Sequence, residues 1–175
     1  MVETLAGPRR RWCAVGGKGL MLTAHLPSGY VLARSWRGPV KYLMPAALFG
    51  SVLPDADMFW FHFVDQGSVH HHHYWPHIPA VWAGIALVTL PILYRFGLLA
   101  TGAVFYTSIF LHLILDTIAG GINWAWPMAS NLFVLTEVPA AYSHWIISFV
   151  LHWTFLAELA VWALALWIYF WKKTV

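Results

Sequence analysis

Long apolar runs separated by short polar breaks dominate the chain, and the runs are too long for strands. Residues 78–94 (IPAVWAGIALVTLPILY), 98–118 and 145–171 are expected to be helices that can cross a bilayer, whose core matches about 20 apolar residues at 1.5 Å per residue. Residues 39–53 (PVKYLMPAALFGSVL) make a shorter apolar helix. Residues 18–35 have a helical pattern interrupted by Pro27 and Gly29, which predicts a tilted, kinked or re-entrant segment. The breaks are residues 54–76, the tight return Arg95-Phe96-Gly97, and a long loop at 119–144 carrying Trp124, Trp126, Pro127 and Pro139. The expected fold is all-α: a polytopic membrane helical bundle of four to five helices. It forms one membrane-embedded domain over residues 18–175, behind an N-terminal tail at 1–17.

Composition supports the bilayer as solvent. Of 175 residues, 60% are hydrophobic and 10% charged, with 12 Trp. Soluble domains carry about 25% charged residues, and indole rings favour the membrane–water interface. The lone Cys13 excludes an internal disulfide and is read as an inert thiol. The formal charge of +3 is small and scattered, and Arg9, Arg10 and Arg11 form the only basic run. A membrane-surface or topological role suits that run better than nucleic acid, so no nucleic-acid partner is expected. Gly16, Gly17, Gly19 and Pro27 break the segment after it, so no secretory signal peptide is expected.

Charge then orders the two faces. Tracing the helices alternately puts Arg34, Arg37, Lys41, Arg95, Lys172 and Lys173 on one side. Asp55, Asp57, Asp65 and Glu137 fall on the other. The positive-inside rule makes the first side cytoplasmic and the long loops extracytoplasmic.

The chemistry lies in the His and Asp positions. His112 and Asp116 are four apart and share one helix face in the turns before Gly120-Gly121. Asp55 and Asp57 follow the helix-ending Pro54. His70, His71, His72, His73 and His77 share the next loop, while His25 and His144 arrive from the two ends of the chain. Separate segments thus deliver imidazoles and carboxylates to one membrane level, a ligand set for zinc, manganese or iron. Carboxylates near hydrocarbon are costly unless paired or metal-bound. His62 and His152 read as hydrogen-bonded structural residues, and Glu158, inside the last span, reads equally well as structural or functional.

The segments Thr23-Ala24-His25, Leu53-Pro54-Asp55-Ala56-Asp57, His72-His73-Tyr74-Trp75-Pro76-His77 and His112-Leu113-Ile114-Leu115-Asp116 resemble a known bacterial family. It comprises the LexA-binding, inner-membrane-associated metal-dependent hydrolases, and the likeness covers about residues 22–130. The resemblance implies metal-binding roles for His25, Asp55, Asp57, His72, His77, His112 and Asp116. That family often has Arg-Gly after the first loop His and Thr before the second, where this chain has His73-Tyr74 and Pro76. A fainter similarity is to zinc-dependent phospholipase C and the P1-type nucleases, and it implies phosphoester hydrolysis. This chain lacks their N-terminal Trp ligand and a late His-x-x-x-Glu, which predicts fewer than three metals or a different third site.

The expected protein is therefore an inner-membrane, multi-pass hydrolase holding one or two divalent ions, with zinc favoured. Asp55 or Asp116 is expected to bridge if two ions bind. Asp57 is expected as a ligand or the base that orients water, and His70, His71, His73 or His144 as groups that bind an anionic substrate or protonate the leaving group. Trp60, Trp75, Trp124 and Trp126 suit a lipid or amphipathic substrate. The alternatives are a non-catalytic metal binder or transporter, a membrane di-iron oxidase, and a haem protein with axial His.

Overall fold

A computed structural model of the chain describes residues 23–66, 71–139 and 141–171. Among these residues it contains α-helices and short 3-10 turns, with no strand beyond an isolated bridge between Ile122 and Phe133. The helices are α1 (His25–Ser35), α2 (Leu43–Val52), α3 (Asp57–Phe63), α4 (Pro79–Arg95), α5 (Leu99–Ala119), α6 (Trp145–Val150) and α7 (Trp153–Trp171). The expected all-α class is observed; five of the described helices have ten or more residues, and α3 and α6 are additional short ones. The tail at 1–17, Cys13, His70, Lys172 and Lys173 lie outside the described residues.

Pro27 does not interrupt a helix, because α1 begins only at His25. A Pro in the first turn removes an N–H that has no intrahelical partner. The break at 54–76 is more ordered than a loop. Pro54–Ala56 forms a 3-10 turn that runs into α3, and His71–His73 and Trp75–His77 form two more. Asp57 in the first turn of α3 sits where the helix dipole favours a carboxylate. The expected helix at 145–171 is broken at Leu151 and His152, where Nδ1 of His152 lies 3.0 Å from Oγ1 of Thr154 and serves the start of α7.

Small residues let α1, α2 and α5 approach closely, as in membrane bundles. The buried face of α2 is Ala47, Gly50 and Ser51. A Cβ on Gly50 would lie 2.5 Å from the Phe105 carbonyl oxygen of α5, and one on Gly29 would lie 2.8 Å from the Ala47 carbonyl oxygen. Ser108 Oγ donates to the Ala47 carbonyl at 2.5 Å, locking α5 onto α2. Trp82, Tyr106, Ile109, Leu113 and Ile122 make the largest apolar cluster, between α4 and α5. The loop after α5 turns back on it: the N–H groups of Leu135 and Thr136 donate to the Thr117 and Ile118 carbonyls at 2.8 and 2.9 Å. These are among the last carbonyls of a helix, which have no partner within it.

Two helices, α5 and α7, are long and apolar enough to cross a membrane. At 17 residues α4 is about 25 Å long, slightly short of a hydrocarbon core of about 30 Å. Its outer face leaves Leu87 77% and Val88 64% exposed, and α7 leaves Leu156, Trp167 and Phe170 exposed. Apolar surface of that extent has a natural cover in lipid.

Candidate metal centre

The four segments singled out in the sequence meet at one point. His25 is the first residue of α1, Asp55 sits in the 3-10 turn after α2, His72 and His77 sit in the two turns before α4, and His112 and Asp116 lie on α5. Asp116 is the centre of the cluster. Its Oδ1 lies 3.1 Å from Nε2 of His25. Its Oδ2 lies 3.0, 3.4 and 3.8 Å from Nε2 of His112, His77 and His72. Asp55 Oδ1 faces Nε2 of His112 at 3.7 Å and Nε2 of His77 at 3.8 Å. The side chains fall into two groups, His25–Asp55–His112 and His72–His77–Asp116, each with ligand atoms within 4.8 Å of one another. All are buried except Asp55, whose side chain is 22% exposed.

Backbone and carboxylate acceptors fix which ring nitrogen faces inward. His112 Nδ1 lies 2.7 Å from the Ser51 carbonyl at the end of α2, and His72 Nδ1 lies 2.9 Å from the Gly121 carbonyl after α5. A carbonyl only accepts, so each Nδ1 carries the proton and each Nε2 keeps its lone pair for the centre. His77 Nδ1 donates to Asp57 Oδ2 at 2.6 Å, a carboxylate–imidazole pair that orients a metal ligand from behind. Trp82 Nε1 donates to the Pro76 carbonyl at 2.7 Å and ties the turn bearing His77 to α4. The rings also stack, with His25 on His112 at 3.7 Å and His72 on His77 at 4.5 Å between centroids.

Burial sets the protonation of the loop ligands. It pushes the His72 imidazole down to about 4, so this ring is neutral near pH 7. Burial also works against charge on His77, but the carboxylates of Asp116 and Asp57 beside it outweigh that and raise the ring to about 9. A cation taken up there would displace a proton. Burial pushes the Asp57 carboxyl up, against the pull of His77.

The donor set fits a divalent cation. Imidazole nitrogen with carboxylate oxygen suits zinc, manganese or iron. His112 Nε2 and Asp116 Oδ2 are buried 3.0 Å apart and make no hydrogen bond among the described residues. Such groups are costly to bury unless a shared positive charge joins them.

A family model described as YdjM inner membrane protein matches residues 19–175. The chain belongs to the YdjM inner membrane protein family. No curated protein and no solved structure matches it. Membership carries the inner-membrane part of the resemblance drawn from the sequence, and neither LexA binding nor hydrolysis. The matched region contains every member of the cluster.

Not every expected site residue enters the centre. Asp57 belongs to neither ligand group, and its Oδ2 accepts from Nδ1 of His77 on the far side of that ring. His73 is exposed beside buried His72 and is in neither group. His144 caps α6, its Nδ1 accepting from the Ile146 N–H at 3.3 Å. His62 is exposed, with its ring edge-on to Phe61. Three contributors escaped the sequence reading. Ser51 and Gly121 act through backbone carbonyls, which leave no trace in side-chain chemistry. Gly120 is the third: a Cβ there would lie 2.2 Å from Cε1 of His72, so only glycine leaves room for the ring.

Proposed function

We propose that this YdjM-family chain is a multi-pass membrane metal-dependent hydrolase with a two-ion centre. The observation that carries the reading is the convergence of four inward Nε2 atoms on Asp116, three of them fixed by acceptors behind the ring. His25, Asp55 and His112 would hold one ion and His72, His77 and Asp116 the other, and Asp116, which also lies 3.1 Å from His25 and 3.0 Å from His112, is the residue that could serve both. Zinc suits this imidazole and carboxylate set, with a proton displaced from His77 on binding.

A divalent ion held there would supply a water of pKa about 7, down from 15.7, and a Lewis acid for an ester or phosphoryl oxygen. The protein's own part is to fix the ligands, exclude bulk water and leave one approach. Asp55 is the ligand with solvent exposure, so substrate and water arrive on its side. His73, exposed next to His72, is assigned as the donor of a proton to the leaving oxygen. Asp57 holds His77 in orientation and does not touch substrate. Exposed Trp60, Trp75, Trp124 and Trp126 suit an interfacial ring around this mouth, and a lipid or amphipathic ester or phosphoester as substrate. The charge asymmetry of the loops favours an extracytoplasmic centre.

Metal analysis of detergent-purified protein, wild type beside His112→Ala and Asp116→Ala, tests this together with hydrolysis of chromogenic esters and phosphodiesters in mixed micelles. One or two ions per chain and turnover in the wild type, with both depleted in the variants, are expected. Full metal content in the variants removes the site. Metal without turnover on any substrate leaves a non-catalytic metal binder.

A further inference from the structure

Three of the four imidazoles have an identified acceptor behind them, and the fourth, His25, is the exception. Its Nδ1 is buried and has no hydrogen-bond partner among the described residues. The last helix brings a carboxylate to the same place. Glu158 is fully buried within α7, a helix whose flanking Leu156 and Leu159 are 64% and 47% exposed. Its Oε2 accepts the backbone N–H of Thr23 at 3.2 Å and also the Thr23 hydroxyl. That hydroxyl in turn accepts from Trp162 Nε1 at 3.3 Å, so its proton is directed to Glu158. Thr23 is two residues before His25, and Glu158 is within electrostatic reach of both His25 and Asp116. The other oxygen, Oε1, is buried with no hydrogen-bond partner among the described residues.

We propose that Glu158 is the positioning carboxylate of His25, doing from α7 what Asp57 does for His77. Thr23 holds one oxygen and Trp162 holds Thr23; the other oxygen and the Nδ1 of His25 are both left without a partner and are not bonded to each other in this structure, and they would pair once an ion is held with Asp55 and His112, fixing the tautomer of His25. A buried carboxylate in a membrane-facing helix is costly without such a task. The inference rests on the metal reading above and makes α7 part of the centre.

The test uses full-length protein in detergent, loaded with Co(II), with stepwise metal affinities and visible spectra measured for the wild type, Glu158→Gln and Glu158→Ala. Gln has a single acceptor oxygen. If that oxygen serves Thr23 N–H, the amide presents donors to His25 and favours the wrong tautomer. Both variants are expected to bind one ion 10- to 100-fold more weakly, the usual loss on removing an outer-shell partner, and to change the spectrum of that ion alone. The second ion, on His72 and His77, is expected to keep its affinity and spectrum. Glu158→Gln keeps the size and the Thr23 contact, so it remains informative should Glu158→Ala fail to fold. Wild-type affinities and spectra in Glu158→Gln overturn the inference while leaving the metal reading intact. Equal weakening of both ions with a lowered metal-free melting temperature also overturns it, in favour of a structural role. A wild type that binds no metal ends the metal reading and this inference together.

Discussion

The Nδ1 of His112 lies 2.7 Å from the carbonyl oxygen of Ser51, joining the centre of α5 to the end of α2. This contact does two things. It gives a terminal helix carbonyl a donor, and it turns the basic nitrogen of the ring toward Asp116. Helix packing and the orientation of the ring are therefore one interaction. The Ser108 bond to Ala47, one turn earlier, sets the same two helices in register.

Asp116→Asn is expected to lower the content of both ions, because Asp116 approaches all four imidazoles. Asp55→Asn, which touches His112 and His77 from the open side, is expected to release one ion and spare the other. Elemental analysis of the two purified variants separates these outcomes; equal stoichiometry in both would count against a bridging Asp116.

Asp57→Asn is expected to retain the fold and both ligand groups while weakening metal binding about 10- to 100-fold, the typical effect of losing a carboxylate behind a ligating imidazole. Competition with a chromogenic chelator measures it. Complete loss of metal would instead make Asp57 a direct ligand.

Gly120→Ala is a steric test. The Gly120 backbone has φ −94, which alanine adopts freely, so the added methyl acts only through its approach to His72. Metal affinity is expected to fall at least as far as in Asp57→Asn, with a small change in metal-free melting temperature. An unchanged affinity would show that the His72 ring is not held where it lies.

Topology is checked with reporters fused after Phe96 and after Glu137. The first is expected to read cytoplasmic and the second extracytoplasmic, because α5 separates them and basic residues gather at the Arg95 turn. Reversed signals would invert the orientation and leave the ligand geometry untouched.

Protons and cations compete for the same Nε2 atoms, so metal affinity is expected to fall as pH is lowered. Binding should release protons, measurable in weakly buffered solution. Affinity independent of pH between about 5 and 8 would be incompatible with His77 as a ligand, because its pKa, raised to about 9, leaves a proton that a cation must displace across that whole range.

Hydrophobic run length alone determined that the chain is helical, and the spacing of His112 and Asp116 alone put them on one helix face, because the α-helical repeat is local and fixed. The order of the His and Asp segments also marked the residues that cluster around Asp116. What tertiary structure decided is the division of labour among them. Asp55 and Asp57, two apart in sequence, lie before and behind His77, because a 3-10 turn running into α3 separates their directions. His72 rather than His73 turns inward, because the Gly121 carbonyl and the missing Cβ of Gly120 receive its ring. Such choices depend on backbone groups contributed by distant segments, and backbone groups are the same at every position of a sequence.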